Sequence, residues 1–474
     1  MSEKKYEQVM QHVLQLIREK VVQEGEKIPS VRGMAQITGL SPMTVLEAYR
    51  RLESDGVIES APRSGYRVLP ASFRRTAAGN RTVDMPPAKI EIRTETVKLH
   101  AQTERLLKAA MQSDLIPLGA GLPDPADLPS DELSRHLARA ARTDPERINR
   151  YAIGEGVPEL RRQLARLMAG SGSTVSPDGL VTVAGITQGL LLALRAVAGP
   201  GDTIAVESPG YYGFYSVLNF LHLNAIEIPT SPQSGLDPDE LERVLKSRKP
   251  PKALIFAPTF SNPTGALIPD ENRKRIVALA RRYNLTLIED DTYGELAFSA
   301  RRPPPVKALL PDRTIYLGSL SKILAPGYRI AWIAGGRHHN DILRCHGMSV
   351  LSLPPVTQLA VAACLKQGGL QRHLRRLSRK YEKNLRLMEQ IILDRFPSGT
   401  QVTHPAGGHF LWVRLPKGSA VQLAEKAMQK GISIAPGTVF SSRQHYKQYL
   451  RLNGALTVSD RIVHALQTLG ELAG

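Results

Sequence analysis

Between Tyr6 and Val22, apolar side chains recur at Tyr6, Val9, Met10, Val13, Leu14, Ile17, Val21 and Val22. Steps of three and four residues predict an amphipathic helix. GEKIPS ends it, and VRGMAQI predicts a second, shorter helix closed by a glycine turn at Thr38 and Gly39. A third helix is expected from about Ser41 to Ser54, with Ser41 as N-cap and Pro42 at the first helical position. Helix, tight glycine turn, helix is a helix-turn-helix pattern. GVIESAPRSGYRVLP then alternates two short apolar runs around a Pro and Gly turn, which predicts a β-ribbon. Residues 1–70 are therefore expected to fold as a winged helix-turn-helix.

The pattern lapses over ASFRRTAAGNRTVDMPP, which is polar, basic and aperiodic, so a linker is expected over 71–93. A larger body is expected over 94–474, opening with a helix from about Thr94 to Met111. From Leu180, short apolar runs (LVTVA, TIAVE, KALIFAP, LTLIED, TIYLGS, RIAWIAG) alternate with helical stretches, which predicts a mostly parallel sheet buried on both faces. After about residue 356 the texture changes to longer helices and shorter strands, a smaller α+β lobe spanning about 356–474. In parallel sheets ligands bind beyond the carboxyl ends of the strands. Those ends carry GITQG, SPGYYG, TFSNPTG, DDTYGE and LSK, each turn-forming and rich in polar or aromatic residues.

Composition narrows the class. At 474 residues the chain is long enough for two to four domains. No run approaches the ~18 to 20 apolar residues of a membrane span, and the charged N-terminus is unlike a signal peptide, so a cytoplasmic protein is expected. Two cysteines, Cys345 and Cys364, exclude a disulfide framework and a thiolate metal site, in keeping with a reducing compartment. The net charge of +18 fits a polyanion partner. Residues 1–70 carry ten Lys or Arg against nine Asp or Glu, so the excess lies in the remainder, notably Arg372, Arg375, Arg376, Arg379, Lys383 and Arg386.

A lysine behind a buried strand becomes a covalent catalyst when its amine condenses with an aldehyde, the chemistry of pyridoxal 5′-phosphate. Such a site needs a carboxylate for the ring nitrogen, donors for the phenolic oxygen, an aromatic lid, and an arginine with a helix N-terminus for the phosphate. The strand ends supply one candidate for each. From about Leu118 onward the chain resembles the fold type I, class I aminotransferases through YAIGEGVPELR, SNPTG, EDDTY, SLSK with Arg329, and RLN. The resemblance implies Lys322 as the Schiff-base lysine, Asp290 on the pyridinium nitrogen, and Tyr293 and Asn262 on the phenolic oxygen. It implies Tyr211 as the stacking ring, with Tyr212 as the other choice. Phosphate falls to Ser319, Ser321, Arg329 and the helix start at Gly185, Ile186 and Thr187. Ile186 stands where many relatives carry a polar side chain, so its contact would be the backbone N–H. Tyr151 is similar to a tyrosine that reaches the partner subunit's phosphate, which implies a homodimer. Arg451 resembles the clamp for a ligand's α-carboxylate, with Gly121 beside it.

The first 70 residues resemble the GntR winged helix through IPSVRGMAQITGLSPMTVLEAYRRLESDGVIES and PRSGYRV. The resemblance implies double-stranded DNA as partner, with Ser30, Arg32, Ser41, Met43, Thr44, Tyr49 and Arg50 in or beside the major groove, and Arg63, Ser64 and Gly65 of the wing in the minor groove. Several relatives carry arginines where this chain has Pro42 and Leu46, which shifts base reading toward Arg32, Met43, Arg50 and the wing. The two parts together resemble the MocR regulators. That implies transcription control by a small amine or amino acid through aldimine exchange at Lys322. The alternative is a working aminotransferase with an accessory winged helix, and a third reading is a DNA-binding dimer with a degenerate pocket.

Overall fold

Near the N-terminus the apolar stripes of three helices close on one another. Helices α1 (Lys5–Arg18), α2 (Val31–Thr38) and α3 (Pro42–Ser54) bury Val9, Val13, Ile17, Met34, Val45, Ala48, Tyr49 and Leu52 in one core. Strands β1 (Ile58–Ala61) and β2 (Gly65–Val68) pair antiparallel and add Ile58 and Val68 to that core. Gly39, at φ 68°, ends α2 in the left-handed region that glycine adopts at little cost. Ser41 caps α3 by accepting the Thr44 N–H at 3.1 Å. Helix α1 stops four residues short of the apolar pattern, because the Val21 and Val22 N–H groups turn back to the Leu16 carbonyl. Periodicity cannot register such a reversal.

The structure is a computed structural model. It describes residues 5–19, 21–23, 25–54, 57–61, 65–68, 85, 90–97, 101–109, 112, 114–299 and 302–474. The chain divides into two units, Met1–Thr82 and Val83–Gly474.

The second unit begins earlier than the pattern alone predicts. Met85 is buried, Ile90 and Ile92 pack against its core, and Glu91 accepts from Arg443 Nη2 at 2.9 Å. The expected helix from Thr94 is instead strand β3 (Thr94–Thr96) followed by a helix over Ala101–Ala109. Two β-branched threonines favour extended backbone, and an open sheet edge pairs with them.

The main sheet also contains β4 (Leu180–Val183), β5 (Thr203–Ser208), β6 (Asn224–Ser231), β7 (Gly235–Leu236), β8 (Ala253–Phe256), β9 (Thr286–Asp290), β10 (Thr314–Ser319) and β11 (Ala331–Ala334). Its order is β3-β6-β5-β8-β9-β10-β11-β4, with β7 attached to β6. Strands β6, β5, β8, β9 and β10 are mutually parallel. Strand β4 shares their direction because it is antiparallel to β11, which is antiparallel to β10. Every residue of β4, β8, β9 and β10 is buried, as continuous apolar runs require.

The smaller sheet, β12 (Gln401–Val402), β13 (Phe410–Arg414), β14 (Ala435–Pro436) and β15 (Tyr449–Asn453), runs in the order β12-β13-β15-β14. It shares a core with the long helix Leu370–Arg395 through Leu385, Met388, Ile392, Leu411, Val413, Leu450 and Leu452. Leu118 joins that core, and the Gly119 N–H donates to Ser433 O at 2.6 Å. The segment around Gly119 thus crosses into the small lobe, far ahead of residue 356 in sequence. A Cβ at Gly119 would lie 2.5 Å from the Ile434 carbonyl carbon, so only glycine passes there.

Candidate functional site

Sheet direction decides which residues meet. Asp290 is the last residue of β9 and Ser319 the last of β10, so parallel pairing brings both to one edge. The reversal at β11 returns the chain to the same edge, with Ala331 opposite both Ser319 and Val183. Arg329, just before β11, therefore meets the start of helix α4 (Ile186–Val197), which follows β4. Its Nη2 donates to Ala184 O at 2.9 Å. Gly185, at φ 95°, makes this approach feasible, since a Cβ there would stand 2.0 Å from Arg329 Nη2. The N–H groups of Ile186 and Thr187 open α4 beside this guanidinium. Gln188 reaches back to accept the Ala184 N–H at 2.6 Å, which closes the helix start.

Lys322 lies in the turn after β10, partly exposed, and donates from Nζ to Gly121 O at 2.7 Å. Burial, reinforced by the Arg451 and Arg329 cations, lowers its pKa to about 8, with Asp290 opposing the shift. Asp290 is buried and accepts from the Thr292 N–H at 3.0 Å and the Thr292 hydroxyl at 2.5 Å. Its carboxyl is nevertheless pushed up to about 6, because desolvation outweighs those two bonds. This buried acceptor fits a ring cation, which would restore the charge that burial disfavours.

Arg451, on β15, is buried and points into the same space. Nη1 donates to Asn262 Oδ1 at 2.7 Å and Nη2 to Gly119 O at 2.5 Å, while Nε has no hydrogen-bond partner among the described residues. Its guanidinium lies 4.4 Å from the Phe410 ring centroid and 5.1 Å from that of Phe440. Gly121 is packed beside both, since a Cβ would fall 3.1 Å from the Phe410 ring and 3.8 Å from Arg451 Nη1. Tyr293 lies beside the Asn262 side chain, and burial raises its phenol pKa. Tyr211 precedes helix α5 (Tyr212–Phe220), its ring 4.6 Å from Tyr212 and 5.6 Å edge-on to Phe214. Ser319 Oγ accepts the Ser321 N–H at 3.1 Å.

The structure thus gathers Lys322, Asp290, Tyr293, Asn262, Arg451 and Gly121 in one pocket, with Arg329 and Gly185 at its rim. Tyr151 stands apart, 75% exposed. Sequence reasoning missed Gly119, Phe410, Phe440 and His409. His409 and Phe410 lie in a small-lobe segment that was read for secondary structure alone, Phe440 ends the 3-10 turn Gly437–Phe440, and Gly119 was passed over because only the fold reveals its close approach. The residues fit pyridoxal phosphate: an amine with lowered proton affinity, a buried carboxylate seeking a cation, and a glycine cradle holding an arginine at a helix start.

In the first unit, Arg32, Met43 and Arg50 are exposed, Met43 at 71%. Ser30 and Ser41 are exposed but occupied as caps, and Thr44 Oγ1 lies 2.9 Å from Ser41 Oγ. Tyr49 does not belong with the DNA-facing set. It is fully buried, donates to Pro29 O at 2.7 Å and packs edge-on to Tyr66, because its helical position faces the core. Gly65 opens β2 at φ 88°. Arg63 and Ser64 lie outside the described residues, as do Arg74, Arg75 and Arg81. Among the described residues no helix is long and apolar enough to cross a membrane, and no cluster suits a metal ion. On the helix Leu370–Arg395, Arg376 donates to Asp127 O at 2.7 Å and Arg386 to Pro405 O at 2.8 Å, while Arg372, Arg375 and Arg379 are exposed.

Residues 5–68 match the bacterial regulatory proteins of the gntR family, and residues 113–469 match the aminotransferase class I and II family. The Escherichia coli HTH-type transcriptional regulator YdcR is 35% identical over 99% of this chain and 99% of its own. YjiR, from the same organism, is 36% identical over 97% and 98%. Among solved structures, the α-aminoadipate aminotransferase LysN of Thermus thermophilus, complexed with N-(5′-phosphopyridoxyl)-L-leucine, superposes with a TM-score of 0.73 at 30% identity. It covers 79% of this chain and 94% of its own. The chain belongs to the MocR-type regulators, in which a GntR winged helix is fused to a class I aminotransferase-like domain.

Proposed function

We propose that this protein is a pyridoxal phosphate-dependent, DNA-binding transcriptional regulator whose effector is a small amine or amino acid. One observation carries the reading: a winged helix with exposed Arg32, Met43 and Arg50 shares its chain with a pocket where Lys322 and Arg451 face one space. Bound there, the cofactor supplies an aldehyde that captures amines and a ring that withdraws electrons. Lys322 holds it, Asp290 pairs with its ring nitrogen, and Tyr293 and Asn262 bond the phenolic oxygen. Arg329, Ser319, Ser321 and the N–H groups after Gly185 take the phosphate, and Tyr211 covers the ring. Arg451 receives the ligand's carboxylate through its unpartnered Nε. Lys322, which donates to Gly121 O, would be the amine that the incoming effector displaces. The ligand then acts on DNA by favouring one of two conformations.

The exposed apolar residues Tyr151, Ile153, Met348 and Leu351 support a homodimer. Ile153 bridges Ser352, so these residues lie close together, and Met348 is 91% exposed. A patch of this kind favours a protein partner.

A second reading, amino-group transfer with turnover, is favoured by the lowered proton affinity of Lys322, which leaves part of its amine neutral near pH 7. One experiment separates the two. Visible absorption of the purified protein and of Lys322→Ala is followed during amino-acid titration, in parallel with operator binding by fluorescence anisotropy. The regulator reading expects the visible band to vanish in the variant and DNA affinity to respond to ligand only in the wild type. Rapid turnover to 2-oxo acid with unchanged DNA affinity would replace it with the enzyme reading.

A further inference from the structure

His409 immediately precedes β13 and is fully buried. Neither ring nitrogen has a hydrogen-bond partner among the described residues. Three rings enclose it: Phe410 at 4.4 Å and 74°, Tyr293 at 5.3 Å and 89°, and Tyr381 at 5.5 Å and 88°. The Tyr381 hydroxyl, on the long helix Leu370–Arg395, is likewise buried without a partner. An unsatisfied buried polar group costs about 1–3 kcal/mol, whereas leucine would fill a comparable volume at no such cost. On stability alone the hydrocarbon wins, so the imidazole calls for another reason. Such departures from packing rules are expected where function is placed.

Connectivity supplies that reason. Asn262 lies beside Tyr293 and accepts from Arg451, and Arg451 lies over Phe410. Phe410 packs on His409, and His409 on Tyr293. Phe410 also packs directly on Tyr293, at 5.3 Å and 72°, so the contacts close on themselves and His409 packs on both members of that closing pair. In each near-perpendicular pair a ring edge meets a π face, a directional contact that an aliphatic side chain lacks. Burial, with Lys322 and Arg451 nearby, strongly disfavours a charge on the ring, so the imidazole adds no third cation to the pocket.

We propose that His409 is a positioning residue: held between Tyr293 and Phe410, it keeps the Tyr293 phenol and the Arg451 guanidinium in register, so that one ligand meets Lys322 with its amine and Arg451 with its carboxylate. This rests on the cofactor reading above.

The test compares wild type, His409→Leu and His409→Gln, each loaded with pyridoxal phosphate. L-alanine carries both groups, ethylamine only the amine and acetate only the carboxylate. Binding is followed by the visible band for the amines and by tryptophan fluorescence for acetate. His409→Leu is expected to weaken L-alanine by about tenfold while changing ethylamine and acetate less than about twofold, because only the two-point ligand depends on register. His409→Gln, which keeps a polar edge, is expected to fall between. Equal weakening of all three ligands, or of none, overturns the inference. So does a wild type that binds L-alanine no better than ethylamine, or loss of a cooperative melt in both variants, which would make the residue structural. A wild type that takes up no pyridoxal phosphate sinks the cofactor reading itself, a separate result.

Discussion

The two units place their functional residues in opposite environments. In the winged helix, Arg32, Met43 and Arg50 stand on the surface, on elements that are contiguous in sequence. In the aminotransferase-like unit, Arg451, Asp290, Asn262 and Ser319 are buried, and Arg451 donates to a carbonyl 332 residues away. Charge divides as unevenly: residues 1–70 are almost neutral although the whole chain carries +18. A surface reader works by presenting donors to a large, solvated partner and relies on salt-sensitive phosphate contacts. A buried site works by removing water, which weakens the lysine's hold on its proton and strengthens every charge pair. One chain thus holds a region whose chemistry is cheap to alter and a region where each substitution propagates.

Four variants put that contrast at risk. The largest effect is expected from Arg451→Gln, which removes the buried charge proposed to take the ligand's carboxylate. Affinity for an amino acid should fall by about 10² or more. The pH midpoint for modification of Lys322 in the cofactor-free protein should rise from about 8, because one of the two cations that lower it is gone. Unchanged titration of Lys322 would show that the two residues do not share a pocket. Gly185→Ala comes next. The backbone at φ 95° and a Cβ 2.0 Å from Arg329 Nη2 should weaken pyridoxal phosphate retention, by about 1–3 kcal/mol. Equilibrium dialysis against the cofactor measures it, and DNA affinity of the unliganded protein should not follow.

A smaller effect is expected from replacing Arg372, Arg375 and Arg379 with Gln, three exposed cations on one helix. If the basic body adds phosphate contacts to a neutral head, the slope of log affinity against log salt should shrink by about 2 to 3 units. A slope equal to that of wild type would confine DNA contact to the winged helix. The smallest is Tyr49→Phe. Loss of its bond to Pro29 O should cost about 1 kcal/mol of stability in the first unit, read by denaturant melts. DNA affinity measured well below the melting range should not move; a drop there would return Tyr49 to the groove.

Much of the site was legible because its parts sit at strand ends, and strand ends show in sequence as apolar runs that stop at turn residues. Lys322, Asp290, Tyr293, Asn262 and Arg329 were singled out this way, with a family resemblance to suggest a role for each. Tyr49 was misplaced because its phenol suits phosphate equally well on paper, whereas its helical position points it inward. Phe410 and His409 were read only as apolar strand context, since nothing local tells an aromatic that lines a site from one that fills a core. The helix expected from Thr94 failed for a related reason: two β-branched residues favour extended backbone there, and β6 offered an edge to pair with them.

Sequence by itself determined the division into a winged helix and an α/β body, the helix caps and turns, and the stock of chemically competent side chains. Each depends on interactions between near neighbours or on the period of apolar residues, and both are local. The tertiary structure alone decided that Gly119 and Gly121 reach from near the start of the body to meet Arg451, that Arg329 folds over Gly185, and that a histidine with no hydrogen-bond partner among the described residues packs on both Tyr293 and Phe410. Those facts follow from which strand ends share an edge and which backbones pass within a Cβ of each other. Strand pairing and close approach arise only when distant segments are brought together, and no short window of sequence carries that information.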